Sequence, residues 1–334
     1  MPSPTNRSRG SILFATCALV AFGPAVGSAA EPAEEPDFAK KTYTYKTVDD
    51  CEIQADVYRA NDDVVRPGVV WMHGGALIVG SRSGVPQRLL DLCRDEGFVL
   101  VSIDYRLAPE VLLPAIIEDV RDAWKWIREE GPELFHVDPQ KLLASGGSAG
   151  GYLTMMTGIC IEPRPVALLA YWGYGDVDGP WYTEPSPHYR EIVPLIPEEE
   201  AREAVGGEVL TGTDGSNPEQ RARGRFYLYL RQNGLWTKEV TGFDPATQRE
   251  KLDPYCPVRN ITPEYPPILM IHGTEDTDVP YEESAAMDRE LARHGVVHEL
   301  ITVPKGGHGL GGADQEVVAH AHERALAFVK GHLE

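Results

Sequence analysis

The chain is poor in cysteine and in positive charge, and beyond its first residues it has no long apolar run. Five cysteines, none in a Cys/His spacing suited to zinc, leave no structural metal site to read. Against 51 Asp and Glu stand only 31 Lys and Arg, for a net charge of −20. Such a surface repels phosphates, which excludes nucleic acid and anionic lipid as partners. After residue 30 no segment approaches the ~20 apolar residues of a membrane span. Internal repeats are absent, so the 334 residues are read as one large α/β domain or two ordinary ones.

What is present begins with an export signal. Arg7 and Arg9 precede a largely apolar stretch from Ile12 to Phe22, and Ser28-Ala29-Ala30 is a small-residue cleavage site. This is the layout of a secretory signal peptide over residues 1–30, which places the mature protein outside the cell or in the periplasm. Its removal takes away two arginines and no acids, moving the net charge from −20 to −22. Residues 31–40 read as an acidic leader, and 41–334 as the folded domain. Cys51, Cys93, Cys160 and Cys256 remain, and export permits them to pair, in a pattern that sequence does not reveal. Cys93 and Cys160 lie among apolar neighbours and read as small buried hydrophobes.

The patterning then changes along the chain. TYTYK (42–46) and EIQADVY (52–58) alternate polar with apolar residues and predict antiparallel strands around Asp49-Asp50. Continuous apolar runs follow at 68–72, 98–103, 141–144, 166–171, 267–271 and 300–303, the signature of strands buried on both faces of a parallel sheet. Helical patterns separate them at 86–96, 114–130, 150–160, 282–294 and 315–330, with Asp138-Pro139 as a turn signal. Strand alternating with helix means a doubly wound, mostly parallel sheet of about eight strands. The interval 173–262 breaks the rhythm and reads as an insertion packed over one edge of the sheet. It is rich in Trp and Tyr mixed with charged residues. Trp172 and Tyr174, at its start, are candidate substrate contacts, because such rings pair an apolar face with a polar tip.

The chemistry concentrates where four glycines surround one serine, in ASGGSAGGYL (144–153). Gly146-Gly147-Ser148-Ala149-Gly150 joins a strand to a helix with G-x-S-x-G spacing, the turn that exposes a serine nucleophile above the carboxyl edge of a sheet. The same turn lacks the features of a phosphate-binding loop. A serine hydroxyl needs a base. His308, in the glycine-flanked VPKGGHGL after the last strand, is the candidate among ten histidines. His272 ends a buried strand and reads as a partner of loop backbone. An acid must orient the imidazole, and HGTEDTDVP (272–280) offers Glu275, Asp276 and Asp278. Backbone N–H groups of Gly74 and Gly75, in His73-Gly74-Gly75-Ala76, and of Ala149 are the candidate oxyanion donors.

With HGGA (73–76), DYRLAPE (104–110), GGSAGG (146–151), HGTEDTDVP (272–280) and GGHG (306–309) in this order, the chain resembles the α/β-hydrolase superfamily. Within it, it is similar to carboxylesterases with an HGG oxyanion motif, such as the hormone-sensitive-lipase-like and acetyl-xylan-esterase-like groups. The resemblance implies the α/β-hydrolase fold with a cap-like insertion, and a serine esterase needing no metal or organic cofactor. It places the triad acid at Asp276 and gives the Asp and Arg of DYRLAPE structural roles. The chain departs from the pattern at Leu77, where many relatives carry a third glycine or an aromatic, and in the length of its insertion. The implied substrate is a small-molecule or carbohydrate ester with a short, acetyl-type acyl group. Amide hydrolysis or peptidase activity on the same triad, or a non-catalytic ligand receptor, would use the same fold.

Overall fold

The computed structural model of the chain describes residues 38–213 and 218–334. The signal-peptide reading of residues 1–30 and most of the acidic leader fall outside the described residues. Strand β1 (Phe38–Val48) runs antiparallel to β2 (Cys51–Ala60) around the turn at Asp49-Asp50. It begins three residues inside the stretch read as leader: Phe38 pairs with Ala60, and its ring stacks on Tyr58 at 6.5 Å. Pairing with Ala60, Arg59 and Tyr58 makes Phe38–Lys40 part of the sheet.

The remaining strands are β3 (Arg66–Met72), β4 (Val99–Ile103), β5 (Val137–Gly147), β6 (Leu168–Tyr171), β7 (Ile268–Gly273) and β8 (His298–Val303). They form one eight-stranded sheet in the order β1-β2-β4-β3-β5-β6-β7-β8, antiparallel at β1–β2 and β2–β4 and parallel from β4 to β8. The Asp138-Pro139 turn signal falls inside β5, where the Asp138 carboxylate accepts from the Gln140 amide at 2.9 Å and the register against β3 shifts. The run at 300–303 is only partly buried, although Leu300 and Ile301 meet the two opposite core layers. β8 is the edge strand and, apart from Val303, is at most half-buried.

Helices α1 (Gln87–Glu96), α2 (Leu113–Glu129), a short α3 (Gly131–Phe135) and α4 (Ala149–Cys160) follow β3, β4 and β5. Because successive side chains of a strand point to opposite faces, Val69 and Trp71 of β3 join one core layer, and Val70 and Met72 the other. The first layer is closed by α1, through Leu89 and Cys93, and by the C-terminal helix. The second is closed by α2 and α4. In α2 the residues Ile116, Val120, Ala123, Trp124 and Ile127 recur at helical spacing and are all buried, which docks the helix on the sheet. The four cysteines are free thiols. Cys93 and Cys256 are buried, whereas Cys160 is only partly so.

The insertion is helical, with α5 (Pro180–Thr183), α6 (Pro187–Ile192), α7 (Glu198–Arg202), α8 (Pro218–Asn233) and α9 (Trp236–Thr241). It lies over the carboxyl ends of central strands and not over one sheet edge. Arg223 of α8 donates to the Ile78 and Ala108 carbonyls in the loops after β3 and β4 and makes a bidentate pair with Glu110 at 2.8 Å. Trp236 of α9 donates to the Ala76 carbonyl at 3.1 Å. Arg223 and Glu110 are 2% and 3% exposed, so this pair is shielded from water and its loss would leave a buried charge uncompensated. The chain ends with α10 (Tyr281–Arg293), which packs on the α2 and α4 side, and α11 (Gln315–Leu333), the C-terminal helix of the first layer. α11 is capped by the Asp314 carboxylate, which accepts from the Glu316 amide at 2.8 Å.

Candidate active site

The chain runs outward from β3 to β4, then returns to place β5 on the other side of β3. Ligand crevices in open α/β sheets form at such reversals, outside the carboxyl ends of the strands. Two turns meet there. One is the β5–α4 elbow, where Ser148 holds φ 57° and ψ −122°, a conformation that a β-carbon disfavours. The elbow closes because its glycines are bare: a β-carbon on Gly150 would stand 2.0 Å from the Met72 carbonyl oxygen, and one on Gly146 2.3 Å from that of Gly150. The other is the loop after β3, where Gly75, Ala76 and Leu77 all take positive φ and the Gly75 carbonyl accepts from the Ile78 and Val79 amides, each at 2.9 Å.

Ser148 Oγ lies 3.1 Å from His308 Nε2, and His308 Nδ1 lies 2.8 Å from Asp276 Oδ2. The carboxylate can only accept, so Nδ1 carries the proton and Nε2 is left to accept from the serine hydroxyl. Asp276 is fixed from its own loop, with Oδ1 accepting from the Asp278 and Val279 amides at 2.9 Å each. Burial would raise its pKa, but hydrogen bonds from His272 and His308 outweigh that and hold it well below the usual carboxylate range. In His308 burial would lower the pKa. The hydrogen bond to Asp276 and the charges of Asp278 and Asp276 prevail and raise it. Of the competing acids, Glu275 is exposed, and Asp278 binds Arg231 at 2.7 Å and the Tyr227 hydroxyl.

Gly74 packs against the elbow: a β-carbon there would meet the Gly147 carbonyl oxygen at 2.8 Å and Ser148 Cβ at 3.3 Å. Among the described residues, the amides of Gly74, Gly75 and Ala149 have no backbone acceptor. Ala149 also begins α4, where the helix dipole favours negative charge.

Ser148 and Gly74 line a cavity of about 270 Å³ whose walls include Trp71, Leu89, Trp172 and Leu326. Trp172 therefore faces the nucleophile, held at φ 35° with its amide donating to the Ile271 carbonyl at 2.7 Å. Tyr174 does not line this cavity. It is fully buried, stacked on Tyr152 at 4.8 Å and edge-on to Trp181, Tyr182 and Trp236, so it is a core residue of the insertion. A larger cleft of about 740 Å³, beside α7 and α8, contains none of Ser148, His308 or Asp276. Among the described residues no group of three or more His, Cys, Asp or Glu side chains is placed to hold a metal ion, and no helix is long and apolar enough to cross a membrane.

Two histidines support the site in ways the sequence did not reveal. His272 Nε2 is 3.0 Å from the Val279 carbonyl and 3.3 Å from Asp276 Oδ2, while its Nδ1 is 2.7 Å from Ser284 Oγ. The backbone contact was expected; the contact with the acid was not. His73 is buried and stacked on Tyr105 at 4.2 Å, with Nδ1 2.8 Å from the Gly74 carbonyl. Burial lowers its pKa to about 4, so it is neutral and braces the Gly74 turn. In DYRLAPE, Asp104 pairs with Arg82 and Arg106 with Asp119, both away from Ser148.

Comparison with known proteins agrees with this architecture. The chain is 28% identical over 323 residues to a non-reducing polyketide synthase of Penicillium brasilianum, covering 82% of this chain but 13% of the synthase. A non-reducing polyketide synthase of Aspergillus terreus is likewise 28% identical over 81% of this chain and 13% of its own length. The chain thus spans about an eighth of the curated relatives it matches. Among solved structures, a Staphylococcus aureus protein of unknown function superposes with a TM-score of 0.70 at 22% identity, over 88% of this chain and all of the other. Esterase 2 of Thermogutta terrifontis, phosphoramylated by tabun, gives 0.59 at 21% identity over 88% and 93% of the two chains. A truncated carbohydrate esterase from gut microbiota gives 0.61 at 19% over 90% and 98%. The family pattern described as alpha/beta hydrolase fold matches residues 69–311, nearly three-quarters of the sequence. The chain belongs to the alpha/beta hydrolase fold family.

Proposed function

We propose that the protein is a serine carboxylic-ester hydrolase, exported through its N-terminal segment and acting on esters with short acyl groups through an acyl-enzyme. The observation that carries this reading is the continuous chain Ser148–His308–Asp276, with contacts of 3.1 Å and 2.8 Å. Ser148 Oγ attacks the acyl carbonyl while His308 Nε2 takes its proton. Asp276 keeps the other ring nitrogen protonated and stabilises the imidazolium. The carbonyl oxygen, now an oxyanion, is held by amides drawn from Gly74, Gly75 and Ala149. His308 returns the proton to the departing alcohol, and water, activated by the same imidazole, releases the acid.

The small volume of the cavity beside Ser148 favours a short acyl group, since it lies near the lower bound of small-molecule pockets, about 300 Å³. Two of the structural neighbours are esterases, one of them a carbohydrate esterase, and an acetylated carbohydrate is the natural substrate most consistent with a polar, aromatic-rich insertion. Export rests on the basic-then-apolar layout of residues 1–30 and is checked by the N-terminal mass of the protein recovered outside the cytoplasm.

The enzyme is tested with p-nitrophenyl acetate, butyrate, octanoate and palmitate, together with an organophosphonate label read by mass spectrometry. The expected result is highest kcat/KM on acetate or butyrate, a label on Ser148, and a loss of at least ~10³-fold in kcat for Ser148→Ala. A preference for palmitate, or a label on Ser145, would overturn the reading.

A further inference from the structure

The cavity beside Ser148 is lined by Gly74, Ser148 and Trp172 but not by His308 or Asp276. A leaving alcohol must stay within reach of His308 Nε2 to receive its proton. The cavity on the other side of the nucleophile is therefore the place for the acyl group. Its lining is mostly apolar, through Trp71, Leu89, Trp172 and Leu326, and Arg88, His322 and Tyr171 bring polar side chains to it.

Arg88, in the first turn of α1, lines the same cavity and has no carboxylate within 4 Å among the described residues. That is conspicuous in a chain where acidic residues outnumber basic ones by 51 to 31. The first turn of α1 has no acidic side chain, and its N-cap, Pro86, which also lines the cavity, supplies no side-chain cap. His322 completes the wall from α11. Burial first, and then the Arg88 charge, lower its pKa, so at neutral pH its imidazole is uncharged. Beside Ser148, the side chains with polar groups in this lining include Arg88, which is its one cation, the neutral imidazole of His322 and the Tyr171 hydroxyl, and none of the lining residues is a carboxylate.

We infer that the acyl group taken by this cavity ends in a carboxylate, so that the preferred esters are half-esters of short dicarboxylic acids, with Arg88 binding the distal carboxylate. The inference rests on the esterase reading above and narrows its substrate class. The overall negative charge does not oppose it, because charges more than about 8–10 Å away are screened at physiological salt while Arg88 acts at contact.

The test compares mono-4-nitrophenyl adipate with 4-nitrophenyl hexanoate, which share a carbon skeleton and differ in the terminal carboxylate, with spontaneous hydrolysis subtracted. The readout is the ratio of their kcat/KM values. Arg88→Met is expected to lower the adipate-to-hexanoate ratio at least about tenfold, the scale of one charge-assisted hydrogen bond. Arg88→Lys retains part of the preference. Added sodium chloride shrinks the wild-type ratio and leaves that of Arg88→Met flat. A ratio in Arg88→Met within about twofold of the wild type would overturn the inference while leaving the esterase reading intact. Inertness towards both esters, with Ser148 unlabelled by the organophosphonate, would overturn both.

Discussion

Asp278 places a carboxylate oxygen 3.6 Å from His308 Nε2, the ring nitrogen that also contacts Ser148. The distance is too long for a hydrogen bond but short enough for its charge to act on the imidazole. Its other oxygen is engaged by Tyr227 and by Arg231, whose guanidinium lies amid the rings of Trp181, Tyr182, Tyr189 and Tyr227. The loop after β7 thus presents two acids to one histidine. Asp276 holds Nδ1 by a hydrogen bond, and Asp278 biases Nε2 through space.

The two acids are expected to separate in mutants. The base must be neutral, so kcat/KM rises with pH through the His308 ionisation, with a midpoint above the ordinary imidazole value of about 6.5. Removing the Asp278 charge removes one of the causes that raise this pKa. Asp278→Asn should therefore move the midpoint to lower pH, with a loss in kcat under about tenfold. Asp276→Asn should favour the wrong tautomer and lose up to ~10⁴-fold in kcat. A pH–rate profile of each variant decides the matter, and a larger loss at Asp278 would reverse the assignment.

His272 gives a second outcome. Its Nε2 must carry the proton, because the Val279 carbonyl can only accept. Replacement by Phe keeps the ring volume and removes the donor near Asp276. The carboxylate keeps its two amide donors and His308, so the expected loss is about 10- to 100-fold in kcat, the scale of one hydrogen bond to a charged group. Single-turnover kinetics on p-nitrophenyl acetate would measure it, and an unchanged rate would show that the loop backbone alone orients the acid.

Glycines of unlike surroundings should respond oppositely to alanine. At Gly150 the new carbon would stand 2.0 Å from the Met72 oxygen, so β3 and α4 must separate, at a cost of about 1–3 kcal/mol or more. At Gly224, inside α8, a β-carbon meets nothing within 4 Å. There the gain is about 0.5–1 kcal/mol from a better helix former. Thermal unfolding should show a lowered Tm for Gly150→Ala and a slightly raised one for Gly224→Ala.

The strand runs and the glycines of the elbow were legible because their causes are local. A run buried on both faces must be apolar, and a strand that turns into a helix within one residue of its neighbour's backbone must be bare. The partial burial of β8 was not legible, because an edge position is decided by which strands pair and not by LITV itself. The contact of His272 with Asp276 depends on how the 273–279 loop folds back. The Arg231–Asp278 pair joins residues 47 apart through an insertion whose docking no periodicity reveals. Tyr174 was misread for a related reason. A Tyr in an aromatic-rich segment looks the same whether it meets a substrate or, as here, the rings of Tyr152, Tyr182 and Trp236.

The ties between α8, α9 and the loops beneath them bear on how the protein would meet a fat droplet. Arg223 on Glu110, Trp236 on the Ala76 carbonyl and Arg231 on Asp278 fasten the insertion at several separate points, two of them through buried guanidinium groups. A roof bolted in this way has no shut position for an oil–water boundary to release. Hydrolysis of tributyrin should follow simple saturation, without a jump as the substrate passes its solubility limit and begins to form an emulsion. Such a jump would mean that the bolts slide.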